Sequence, residues 1–161
     1  MIMNPHFGRV EIRGVLVPAG EERLLLPNAT VAEVLSQVGV EPIAGAPEWL
    51  RGHIAWQGWR VPLVSFAALA GMGDDTLDGR GRIVVLKALG GNPDLPYIAL
   101  LTPAFPRLAS VPHDGLLADA TEEPLPDGVQ MRVLLGDETA LLPDLDRVEQ
   151  RLVQALAAVQ S

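Results

Sequence analysis

The stretch Pro47-Glu48-Trp49-Leu50-Arg51-Gly52-His53-Ile54-Ala55-Trp56-Gln57-Gly58-Trp59-Arg60-Val61-Pro62-Leu63-Val64 carries all three tryptophans of the chain. Gly52 to Trp56 and Arg60 to Phe66 read as two strands around Gln57-Gly58-Trp59, where Gly58 can take the positive φ that a tight hairpin demands. Successive strand residues face opposite sides, so the tryptophans that straddle the turn need not share an environment. Trp49 reads as a core plug, with one of Trp56 and Trp59 packing inward. A tryptophan left outside is a binding anchor, since indoles are enriched at interface hot spots.

Upstream, Val10 to Pro18 and Arg23 to Leu26 form a second hairpin turned by Pro18-Ala19-Gly20-Glu21-Glu22. Pro27 to Leu35 then reads as a short helical turn or irregular segment with Val31, Val34 and Leu35 spaced toward one side, and residues 36 to 51 as a loop punctuated by Gly39, Pro42, Gly45 and Pro47. Downstream, Ala67 to Gly71 resembles one helical turn, and Asp74, Asp75, Asp78, Gly79 and Gly81 mark a solvated turn. Arg82 to Leu89 and Tyr97 to Thr102 read as buried strands around Gly90-Gly91-Asn92-Pro93, and Val129 to Leu135 pairs with Thr139 to Leu142 across Gly136-Asp137. Leu145, Val148, Leu152, Leu156 and Val159 recur at three- and four-residue steps, which makes a C-terminal amphipathic helix over 143–159. Pro143 suits its first turn, and Asp144 and Asp146 complement its positive end. The expectation is an all-β fold, a single domain over 8–161 made of two small antiparallel units, about 8–70 and 80–142, covered by that helix.

A chain of 161 residues with 48% hydrophobic content has enough apolar material for one core. Its net charge is −8, and residues 109 to 130 hold Asp114, Asp119, Glu122, Glu123 and Asp127 with no Lys or Arg. Such a surface repels phosphate backbones and anionic lipid, so nucleic acid is not an expected partner. Without cysteine, disulfides and thiolate chemistry are excluded. Met1 to Gly14 lacks a basic segment followed by an apolar one, and no apolar run suffices for a membrane span; a cytoplasmic protein with no membrane insertion is expected.

His6, His53 and His113 lack the local spacing of metal ligands, and His53 reads as a half-buried strand residue in preference to a phosphoacceptor. Gly71-Met72-Gly73 and Gly79-Arg80-Gly81 lack the Lys-Ser/Thr ending of a phosphate loop, and no serine sits in a Gly-x-Ser-x-Gly elbow. No catalytic residue, metal ligand or cofactor is assigned. The competing class is a metal- or small-ligand-binding barrel, or an enzyme, built on the histidines and the acidic 114–127 loop.

The tryptophan-bearing stretch resembles the signature region of CheW-like domains: a proline, an apolar-apolar-x-glycine step, then Asn-x-Arg-Gly and a Pro-Val/Ile strand. Val31-Ala32-Glu33-Val34 is similar to that family's Val-x-Glu-Ile/Val segment, and Leu134-Leu135-Gly136 with Leu141-Leu142-Pro143-Asp144-Leu145 extends the likeness over nearly the whole chain. The resemblance implies two five-stranded antiparallel barrels over a shared core and no active site. Its members bridge the regulatory domain of a CheA-type histidine kinase and the cytoplasmic tip of a chemoreceptor.

Carried over by position, Val31 and Glu33 match receptor-facing residues, and Gln57 stands where an arginine normally faces that glutamate. Ala55 replaces the asparagine and Ser65 an aspartate after the Pro-Val strand. A Gln57 amide can still hydrogen-bond Glu33, less strongly than a charged group. These departures resemble those of a divergent paralogue in a twitching-motility or other alternative chemosensory system, similar to ChpC or PilI. The expected partner interface is Val31, Glu33, Trp56, Gln57, Trp59 and Leu63; Leu63 is weighed against a core position because alternate residues of its strand face inward.

Overall fold

The computed structural model describes residues 12–36, 38–75, 81–111, 117–118 and 123–159. The first hairpin is β1 (Ile12–Ala19) and β2 (Glu22–Pro27), and the tryptophan-bearing one is β4 (Leu50–Trp56) and β5 (Trp59–Val64). Between them, helical structure is confined to a 3-10 turn at Asn28–Thr30, and Val31–Leu35 is a strand, β3. The helical reading holds for that turn and fails for Val31–Leu35 for a specific reason. Val31 pairs with Leu86 and Glu33 with Val85, so the strand bulges at Ala32. One extra residue in an alternating strand sets Val31 and Val34 on the same face at a three-residue step, which imitates helical spacing.

A single turn, α1 (Phe66–Leu69), follows β5. Then come β6 (Arg82–Lys87), β7 (Tyr97–Thr102), β8 (Arg107–Val111), β9 (Leu117–Ala118), β10 (Val129–Leu135), β11 (Glu138–Pro143) and α2 (Leu145–Val159). Pro143 ends β11 and does not open the helix. The helix is capped by Asp144, whose Oδ1 accepts the Arg147 N–H at 3.1 Å. The strands β8 and β9 lie between Thr102 and Val129, where no strand is read from the sequence. In β8 only Val111 is buried, which leaves the sequence little apolar signal.

The strands make a six-stranded sheet, β8-β1-β2-β11-β10-β9, and a five-stranded one, β3-β6-β7-β5-β4. Neither is a closed antiparallel barrel: β2 and β11 run parallel, as do β5 and β7, and among the described residues each order ends in unpaired edges. Nor do the sheets follow a division of the chain at residues 70 to 80. The five-stranded sheet collects β3 to β7, whereas β1 and β2 join the late strands. Hairpins are written locally; the sheet each one joins is set by long-range pairing.

Each sheet is apolar on both faces. Val15, Val17, Leu24 and Leu26 of the first sheet and Val84, Leu86, Ile98 and Leu100 of the second share one core, which α2 covers with Val148 and Leu152. The alternate residues Ile83, Val85, Ala99 and Leu101 join Ile54, Trp56, Val61 and Leu63 in a second cluster, and Leu16, Leu25, Val111, Val133 and Ala140 form a third. Strands buried on both faces carry near-continuous apolar runs, which is how Arg82 to Leu89 and Tyr97 to Thr102 read. The six-stranded sheet curls far enough for Arg107 Nη2 on β8 to donate to Glu138 Oε1 on β11 at 2.6 Å.

Candidate partner interface

At the tip of the β4–β5 hairpin, Gln57 and Gly58 have φ of +47° and +82°. Two left-handed residues in a two-residue loop match the twist of the flanking strands. Trp56 and Trp59 are direct cross-strand partners and share a face, yet their burial differs: Trp56 is buried, while Trp59 at the rim is 45% exposed. Both meet Tyr97 edge-on, with ring centroids 4.7 Å and 6.2 Å away. Tyr97 was not expected at the site, although as the single tyrosine, opening an apolar run, it carried a signal.

The β3 bulge positions the acidic member of this group. Because Glu33 pairs with Val85, it faces the second cluster, and its Oε1 accepts the Trp56 Nε1–H at 3.2 Å while the residue stays exposed. The indole occupies the role expected of Gln57, which is exposed at the turn tip. Val31 lies on the opposite face of β3, half-buried against the shared core. Leu63 is 1% exposed inside the second cluster, so it is a core residue and offers a partner nothing. The structure thus brings Glu33, Trp56 and Trp59 to one surface with Tyr97.

Behind this surface, Gly52 lets the loop before β4 approach closely, and Glu41 bridges His53 in both directions at 2.8 Å. His53 is half-buried, as its strand position suggests, and its Nδ1 is buried without a hydrogen-bond partner. Burial, then the Arg60 guanidinium, holds its pKa below the ordinary 6.5, with the Glu41 carboxylate opposing. A lowered imidazole pKa means the folded state binds fewer protons, so this contribution to stability is complete above pH 6.5 and is lost as pH falls below it. An NMR titration of the His53 ring should give a midpoint below 6.5; a midpoint at or above it contradicts this environment. His6 and His113, and half of the acidic 114–127 loop, lie outside the described residues. Among the described residues no group of three or more His, Cys, Asp or Glu side chains is placed to hold a metal.

Ser65, where the resemblance expects an aspartate, is fully buried: its Oγ accepts the Ala68 N–H at 3.2 Å and donates to Asp75 Oδ2 at 2.9 Å. Asp75 Oδ1 accepts the Gly20 N–H at 2.7 Å. A carboxylate does occupy this corner, supplied from ten residues further along the chain.

The sequence as a whole matches the family described as CheW-like domain over residues 13–152. The chain belongs to that family. A solved structure with a similar fold is that of the scaffolding protein TtCheW from Thermoanaerobacter tengcongensis, at a TM-score of 0.70 and 18% identity, covering 83% of this chain and 89% of that one. No curated protein matches the sequence. As a CheW-like domain the chain is a chemotaxis scaffold by family, and the six-plus-five sheet arrangement with its C-terminal helix is this chain's form of the fold. Within that CheW-like frame Trp59 lies at the exposed rim of the β4–β5 hairpin, so replacing it should leave the frame standing. Trp59→Ala is expected to retain the wild-type circular dichroism spectrum and melt within a few degrees of wild type; a collapse of the fold would place Trp59 in the core.

Proposed function

We propose that this protein is a non-catalytic cytoplasmic adaptor that couples the tip of a chemoreceptor to the regulatory domain of a CheA-type histidine kinase, in an array of the twitching-motility or another alternative type. The observation that carries the reading is the surface that Trp56 and Trp59 of the family's own signature hairpin make with Glu33 of β3. Trp59 is exposed and backed by Tyr97, and tryptophan is among the residue types enriched at interface hot spots. No helix among the described residues is long and apolar enough to cross a membrane. Glu33, Gln57 and Trp59 form the receptor-facing side, with Trp56 as their support, while Val31 backs β3 from the core face.

The test is association with the CheA-type kinase encoded in the same genome. Size-exclusion chromatography with light scattering should show a one-to-one complex with its regulatory domain, and failure to associate at tens of micromolar contradicts the adaptor reading. On the receptor side, Glu33→Lys should weaken association about tenfold, roughly 1.4 kcal/mol, with the fold intact. Unchanged receptor binding would remove Glu33 from the interface.

A further inference from the structure

We infer that the exposed ring of Trp59 and the carboxylate of Glu33 together receive one arginine side chain from the receptor-side partner. The inference rests on the adaptor reading and adds the chemistry the partner must present. Glu33 is an exposed carboxylate that belongs to none of the ion pairs formed among the described residues. Its orientation is nevertheless fixed, because the buried Trp56 indole donates to Oε1. Lys87 shares this face through its pairing with Tyr97, but its ammonium donates to the Ala29 carbonyl at 3.1 Å. Arg60 lies opposite Ala55 in the hairpin and pairs with Glu41 at 3.3 Å. The result is an aimed carboxylate outside the ion pairs of the described residues, bonded to the Trp56 indole whose cross-strand partner, Trp59, leaves much of its ring uncovered.

The protein shows the filled form of this arrangement elsewhere. Arg151 lies over the Trp49 ring with its guanidinium carbon 5.0 Å from the centroid, and its Nη1 donates to Asp127 Oδ2 at 2.8 Å. Indole, guanidinium and carboxylate satisfy one another there, with the arginine supplied by α2. At Trp59 and Glu33 the indole and carboxylate are present and the arginine is not. Guanidinium fits better than ammonium because it is planar: it stacks on an aromatic face while its N–H groups remain free to bond a carboxylate in the ring's rim.

The experiment is calorimetric titration of the full chain with soluble tip fragments of the chemoreceptors encoded in its genome, and with the kinase regulatory domain in parallel. Glu33→Gln keeps an acceptor for the Trp56 N–H and removes the charge; Trp59→Ala removes the stacking surface. Each should weaken receptor-fragment binding at least tenfold while leaving kinase binding and the circular dichroism spectrum unchanged. Replacing the exposed arginines of the fragment one at a time by glutamine should find one whose loss is not worsened further by Glu33→Gln, as a double-mutant cycle requires of a direct pair. Wild-type-like receptor binding by both variants, or no arginine coupled to Glu33, overturns the arginine assignment and leaves the adaptor reading standing. A folded wild-type chain that binds neither receptor fragment nor kinase overturns both.

Discussion

Gly52→Ala is expected to destabilise the protein by about 3 kcal/mol or more, the sum of backbone strain and a clash that cannot relax cheaply. Gly52 has φ of +145°, a region closed to L side chains, and a Cβ placed there would lie 2.3 Å from the Glu41 carbonyl oxygen. The obstructing atom is backbone, engaged with the His53 N–H at 2.8 Å, so relief of the clash must break the bridge between the loop and β4. That loop brings Val38 and Val40 over the second cluster, and loosening it would expose the interior on which Trp56 rests. Gly58→Ala is the control: its φ is also positive, but nothing lies within 4 Å of the new Cβ, so only the left-handed strain of about 1 kcal/mol is expected. Urea denaturation of both variants checks the pair. A Gly52→Ala midpoint no lower than that of Gly58→Ala would show that the close approach of the loop is not what requires glycine.

Asp75→Ala should cost about 2 to 4 kcal/mol, because it strips the acceptor from two donors in a buried corner. The carboxylate is fully buried; one oxygen holds the β1–β2 turn through the Gly20 N–H, and the other holds the Ser65 hydroxyl that caps α1. One side chain thus ties the first sheet to the end of the β4–β5 hairpin, although their strands are not neighbours in either sheet. Ser65→Ala should cost less, about 1 kcal/mol, and the double variant should lose less than the sum of the singles because they share a hydrogen bond. Additive losses, or a loss below 1 kcal/mol for Asp75→Ala, would mean the corner is held by packing alone.

The contrast between Asp75 and Gly52 shows how much the sequence disclosed. Gly52 stood inside a recognisable signature, and the hairpin that follows it, its Gln57-Gly58 turn and the helix stripe of Val148 and Leu152 were all legible from local periodicity. Asp75 read as one of several acids in a solvated turn, because nothing near it in sequence announces that Gly20 and Ser65 meet it in space. The same limit applies to the sheets. Each hairpin was visible, but the parallel contacts of β2 with β11 and of β5 with β7 join segments far apart in the chain, so a mixed six-plus-five arrangement could not be told from twin closed barrels. The bulge in β3 misled for a local reason, since two valines three residues apart look alike on a helix and on a bulged strand.

At the proposed interface, the sequence pointed to Glu33 and the tryptophans but not to how they pack. Which of Trp56 and Trp59 is buried depends on how the second cluster fills, with Tyr97 packed edge-on against both rings. The hydrogen bond expected from Gln57 to Glu33 is made by the Trp56 indole, because the left-handed turn residue is carried out to the tip while the buried ring is held beside the β3 bulge. Leu63 falls to the core by the same alternation that sends Ile54 and Val61 there.

The central claim is that this chain joins two other proteins, and co-sedimentation tests it directly. Membranes bearing the receptor would be mixed with the soluble kinase regulatory domain, with and without the chain. The account predicts that the regulatory domain pellets with the membranes when the chain is present, and that Trp59→Ala abolishes most of that recruitment. A regulatory domain that stays in the supernatant although the folded chain is present in excess would contradict it.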